Sequence, residues 1–97
     1  MSELQRLQDW YRAQCNEDWE HSFGVKIDTL DNPGWMVKID LVETDLEGKA
    51  FEPQSHGNSD TDTDWIVCKL ESGQFVGYGG ANNLAELLRT FLNWACA

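Results

Sequence analysis

Basic residues are scarce in this chain. Seven lysines and arginines stand against seventeen aspartates and glutamates, a net charge of -10 over 97 residues. Nucleic-acid phosphates repel such a chain, so no nucleic-acid partner is expected, whereas a basic protein would be attracted and its encounter accelerated. Cysteines are few: Cys15, Cys68 and Cys96 are odd in number, widely spaced and form no CxxC pair. That excludes a disulfide framework and fits free thiols in a reducing cytoplasm. With His21 and His56 the cysteines show no zinc-ligand spacing, so no metal and no cofactor are expected. No apolar run approaches the ~20 residues that a membrane span needs, and no signal-peptide pattern precedes the first amphipathic segment, so no membrane partner is expected either. The glycines at 77, 79 and 80 match neither GxGxxG nor GxxxxGK, so they read as a chain reversal and not a phosphate loop.

A hydrophobic content of 41% and five tryptophans nonetheless argue for one folded domain spanning 1–97. Its most legible stretch is 19–41. Phe23, Val25, Ile27 and Thr29 alternate with polar or small residues, and so do Trp35, Val37, Ile39 and Leu41 after a break at Asn32-Pro33-Gly34. Period-two alternation on both sides of a turn sequence predicts a hairpin with one buried face. Opposing Ile27 to Ile39 would set Lys26 against Asp40 and Asp28 against Lys38, two opposite-charge pairs on the outer face. Upstream, Leu4, Leu7 and Tyr11 share one face of a helix over 3–15, with Ser2 and Gln5 in a capping-box pattern. Downstream, 65–70 reads as a strand buried on both faces for part of its length. Ser72-Gly73 is a turn and 74–78 a returning strand. Asn83 and Glu86 form a capping box for a final helix with Leu84, Leu87, Leu88, Phe91, Leu92 and Ala95 on its apolar face. Residues 52–64 have no apolar period and read as a solvated loop. The expected fold is α+β in the order α-β-β-β-β-α. An antiparallel sheet of four to five strands carries both helices on one face.

The stretch CNEDWEHSFGVKIDTLDNPGWMVKIDL (15–41) resembles the signature of the immunity protein 53 family. The likeness continues through LEGKAF (46–51), Ser59-Asp60-Thr61 with the Asp64-Trp65 pair, GYGG (77–80) and NLAELL (83–88), and so covers nearly the whole chain. One departure is Glu17, where the family carries a smaller residue, often glycine. The resemblance implies a small bacterial, non-catalytic protein that neutralises a toxin domain of a polymorphic toxin system.

Eight of the seventeen acids fall in 40–64, with Lys49 the one base among them. This concentration makes the stretch from Glu43 to Asp64 the candidate docking surface for a basic toxin, for instance a nuclease whose site otherwise holds phosphates. The candidate partner-binding residues are Glu43, Asp45, Glu47, Glu52, Asp60, Asp62 and Asp64, with Trp19 and Glu20 beside the hairpin. Most of the tryptophans belong in the core, and Trp19 or Trp65, at strand ends, is the expected exposed anchor.

Two other function classes are weighed. A cysteine enzyme would use Cys15 as nucleophile, His21 as base and Glu20 to orient it, but nothing in the sequence presents Cys15 to an oxyanion hole. A calcium module would use Asp60, Asp62, Asp64 and Glu71, which match positions 1, 3, 5 and 12 of an EF-hand loop. Trp65 stands where that loop needs glycine, so no tight calcium site is expected.

Overall fold

The computed structural model describes residues 2–97. Helix α1 (Glu3–Gln14) starts as expected, with the Ser2 hydroxyl accepting from the Gln5 N–H at 3.1 Å. A single helical turn, α2 (Trp19–Ser22), follows. Then come β1 (Val25–Leu30), β2 (Gly34–Asp40), β3 (Gln54–His56), β4 (Ile66–Glu71), β5 (Gln74–Gly79) and α3 (Leu84–Ala95). The strands form one antiparallel sheet in the order β1-β2-β5-β4-β3. This is the expected α+β architecture, with five strands.

Register places Val25, Val37, Ile39, Ile66, Cys68, Phe75 and Gly77 on one face. Leu7 of α1 and Leu87, Leu88, Phe91 and Leu92 of α3 cover that face, and together these side chains make a single core. The glycine at 77 leaves room there: a Cβ would stand 3.2 Å from Leu87 Cδ2. Among the described residues the opposite face carries no helix, and Val67, which lies on it, is 37% exposed. The expectation that β4 is buried on both faces is therefore corrected.

Further departures from the expected details have local causes. The hairpin pairs Val25 with Ile39 and Ile27 with Val37, so Lys26 faces Lys38 and Asp28 faces Met36. The expected charge pairs do not form. Asp40 instead accepts from the Gly24 N–H and Gln74 Nε2, both at 2.9 Å. Gly34 is not the tip but the first residue of β2. A Cβ there would lie 2.3 Å from the Gly79 carbonyl oxygen, so the close approach of β5 demands glycine. The chain before β1 coils into α2, which leaves His21 exposed. Glu17 opens that turn at φ +72°, a left-handed conformation that costs a side-chain-bearing residue roughly 1–2 kcal/mol and that glycine adopts freely.

Part of the 52–64 loop is the edge strand β3, paired with β4 through Gln54–Cys68 and His56–Ile66. Asn83, finally, holds the N-cap position of α3 as expected, but its side chain makes no capping bond to the helix N-terminus. Its Nδ2 donates instead to Asp64 Oδ1 (2.8 Å) and Glu86 Oε1 (2.9 Å).

Candidate functional site: an acidic pole on the sheet

β2 and β4 both run antiparallel to β5, so they run parallel to each other. The connection from Asp40 to Ile66 must therefore cross the whole sheet, about 20 Å for strands of six or seven residues at ~3.4 Å each. Its carboxylates are separated accordingly. Glu43, Asp45 and Glu47 lie beyond the end of β2, Glu52 lies beside α3 near Arg89, and Asp60, Asp62 and Asp64 lie at the opposite end beside the β1–β2 turn. All seven are exposed. The single acidic surface expected over 43–64 is thus three separate places.

The Glu43 end borders a cleft. Leu41 N–H donates to the Gly73 carbonyl (2.9 Å), which ties the segment to the β4–β5 turn. Thr44 Oγ1 donates to the Leu41 carbonyl (2.7 Å) and accepts from the Leu46 N–H (3.1 Å), curling 41–48 into consecutive turns. Leu46, 4% exposed, pins those turns into the core. A cleft of about 360 Å³ results, floored by Leu41, Leu46 and Leu70 and bordered by Glu47 and Glu71. Lys49 also borders it, but its Nζ donates to the Trp94 carbonyl (2.8 Å) at the C-terminal end of α3, where the helix dipole favours a cation.

Trp19 is bonded to the segment that leads into these turns. Trp19 is 3% exposed, against the expectation of an exposed anchor, and Trp65 is 6% exposed. Trp19 packs edge-on to Trp10 and Tyr11, and its Nε1–H donates to the Val42 carbonyl (2.9 Å). That bond ties α2 to the backbone just before Glu43. The Glu20 carboxylate accepts from the Asn16 N–H (3.0 Å) and the Glu17 N–H (2.8 Å). Backbone N–H groups, its own first, hold it below the usual glutamate range.

Neither alternative chemistry is assembled. Cys15 Sγ donates to the Tyr11 carbonyl (3.4 Å), His21 makes no bond to it, and Glu20 is occupied by backbone. Cys68 is fully buried, which pushes its thiol up to about 12, with the charge of Glu86 adding to the shift. In the calcium pattern, the length of β4 separates Glu71 from Asp60. The Asp62 carboxylate accepts from the Asn58 N–H (2.8 Å), and Asp64 is turned to Asn83.

Among the described residues, His56, Asp64 and Glu86 bring metal-ligating atoms within 4.8 Å of one another. Sequence spacing gave no hint of this group, because its members come from β3, the β4 approach and α3. The protein supplies its own donors there: Asn83 Nδ2 bridges the two carboxylates, and His56 Nε2 lies 2.9 Å from Glu86 Oε2. We read it as a clasp joining the β3 edge to α3. The hydrogen bond to Glu86 raises the His56 pKa. A raised folded value means that the charged pair stabilises fully below the unfolded histidine value of about 6.5 and is lost as pH rises through the folded one. The melting-temperature gap between wild type and His56→Gln should therefore be wide at about pH 5.5 and narrow by about pH 8.5. An equal gap at both values would show that the charge contributes nothing.

No helix among the described residues is long and apolar enough to cross a membrane. No curated protein and no solved structure matches the chain. The family model described as Immunity protein 53 matches residues 4–96, which take in the pole, the clasp and all of the core, and the chain therefore belongs to the immunity protein 53 family.

Proposed function

We propose that this chain neutralises a cognate toxin domain by binding it, without catalysis, in the cytoplasm of a bacterium that carries a polymorphic toxin system. The acidic pole is the docking surface, with Glu43, Asp45 and Glu47 joined by Glu71 and backed by Trp19 and Glu20. One observation carries this reading: an apolar cleft bordered by two carboxylates, Glu47 and Glu71, set among further exposed acids. Such a cleft suits an arginine or lysine, whose aliphatic stem can lie on Leu41, Leu46 and Leu70 while its charge meets the rim. The partner surface is therefore basic, as at a nuclease site that otherwise holds phosphates. Glu52, Asp60, Asp62 and Asp64 add to the long-range field that steers the encounter. Asp64, committed to Asn83, contributes least to direct contact.

The test is the association rate of the toxin domain with wild type and with a variant reversed at Glu43, Asp45 and Glu47. The toxin is expected as the C-terminal domain of a large protein encoded beside this chain.

A further inference from the structure

β1 is an edge strand, and among the described residues no strand pairs along its outer side. Asp40 N–H donates to the Gly24 carbonyl (3.0 Å), so residues 24, 26, 28 and 30 turn their backbone groups toward β2. By alternation, the N–H and C=O groups of Val25, Ile27 and Thr29 point outward. Open edges are normally guarded by charge or cover. Here the guard has a pattern of its own, with Lys26 and Asp28 flanking Ile27, which is 38% exposed.

We propose that β1 pairs antiparallel with β1 of a second copy about a two-fold axis through Ile27, making one ten-stranded sheet. Val25 then faces Thr29, and Lys26 faces Asp28, each across the two copies. Ile27 meets its own counterpart. Val25, Ile27 and Thr29 sit at hydrogen-bonded positions, which leaves both Lys26–Asp28 pairs at non-bonded positions, where side chains approach closest.

The charges also select the register. A shift of the axis to residue 26 opposes two lysines, and a shift to residue 28 opposes two aspartates. Within the monomer Lys26 already faces Lys38, an unfavourable like-charge pair that a carboxylate from the second copy offsets. The Thr29 N–H, now donating to the Asp28 carboxylate at 2.8 Å, passes to the partner's Val25 carbonyl, and Asp28 is released to meet the partner's Lys26. On the helix side, Leu4 (60% exposed) and Tyr11 (39%) lie on the same face of α1 as buried Leu7. Leu7 and Tyr11 line a cleft with Val25, directly beside this edge. The pairing is isologous and closed, so it ends at a dimer. It rests on the β1 edge and its immediate surroundings and stands independently of the toxin reading.

Sedimentation equilibrium of the full chain, in about 150 mM salt to screen the net repulsion, reads the dimer directly. Wild type should pass from monomer to dimer as concentration rises through roughly 10–500 µM, the range of a small interface. Lys26→Asp or Asp28→Lys turns both cross-copy pairs repulsive, and each should weaken the dimer about tenfold or more. An equimolar mixture of the two variants restores opposite charge at every pair and should dimerise at least as well as wild type. Recovery on mixing also shows that both variants are folded. A wild type that stays monomeric throughout would overturn the proposal. So would a dimer that ignores both substitutions, or folded variants (by circular dichroism) that fail to recover on mixing.

Discussion

Reversing Glu43, Asp45 and Glu47 to lysine should slow toxin association about a hundredfold, within the 10- to 1,000-fold range of electrostatic steering. The fold should survive, because all three side chains are exposed. The turns they occupy are held by Leu46, by the Thr44 hydroxyl and by the Leu41–Gly73 bond. Among the three carboxylates only that of Glu47 accepts an internal bond, a long one (3.4 Å) from the Glu43 N–H. The wild-type rate should fall as salt rises, since screening shortens the range of attraction to about 8 Å at physiological ionic strength. The reversed variant should lose this dependence or invert it. A reversal of Asp60 and Asp62, at the far end of the sheet, should have a smaller effect per charge reversed, because those groups contribute field without contact. Stopped-flow association at several salt concentrations measures all of these. Equal rates for wild type and the Glu43 variant would remove the pole from the interface.

Phe91→Ala should produce the largest loss of stability. Phe91 is fully buried in α3. Its ring centroid lies 5.0 Å from that of Trp10, 5.2 Å from Phe75 and 6.2 Å from Trp94. It therefore joins α1, the sheet and the end of α3 in one aromatic cluster. Truncating such a side chain leaves a cavity that its rigid neighbours cannot fill, at a cost of about 3–5 kcal/mol. A domain of this size has only about 5–15 kcal/mol in total. Thermal unfolding should move down by roughly 15–30 °C. Leu4→Ala, removing a side chain 60% exposed on the same helix that carries Trp10, should change the midpoint little in the monomer. A Phe91→Ala midpoint within about 5 °C of wild type would mean that the cluster repacks and that α1 and α3 are joined less tightly than their contacts imply.

What could be read from the sequence depended on what each signal constrains. Alternation in 23–41 correctly placed Val25, Val37 and Ile39 on the covered face, because parity alone decides which face a side chain takes. It could not choose between registers two residues apart, which preserve parity. The choice lay with Gly34, which must pass the Gly79 carbonyl, and with Asp40, which is claimed by Gly24 and Gln74. The final helix was plain from its apolar face and its N-cap residue was placed correctly, yet the expected capping-box bonds do not form, because the Asn83 side chain has a tertiary partner in Asp64. β3 escaped because Gln54, Ser55 and His56 are exposed on an edge and carry no apolar alternation.

The candidate site was legible in composition and illegible in shape. The acids of 43–64 are close in the chain, and a simple meander would have kept them close in space. With β5 placed between β2 and β4, the connection crosses the sheet and disperses them. The cleft at the pole needed Glu71 and Leu70 from β4, which nothing local associates with Glu47. Trp19 gave the opposite error. A tryptophan beside a polar turn looked like an anchor for a partner, but its Nε1–H has a carbonyl to meet inside, at Val42.

Hydrogen exchange on the chain, free and bound to its toxin domain, tests the central claim most directly. The free protein should exchange faster at the turns of 42–48 than in the central strands, because their amides donate only to local turn and side-chain acceptors and not to a strand ladder. Binding should slow exchange most in 42–48 and 70–74, the two sides of the Glu47–Glu71 cleft, with little change over 54–64 or along α3. Slowing confined to 54–64 or to the uncovered face of the sheet, with 42–48 unchanged, would contradict the account and move the interface away from the acidic pole.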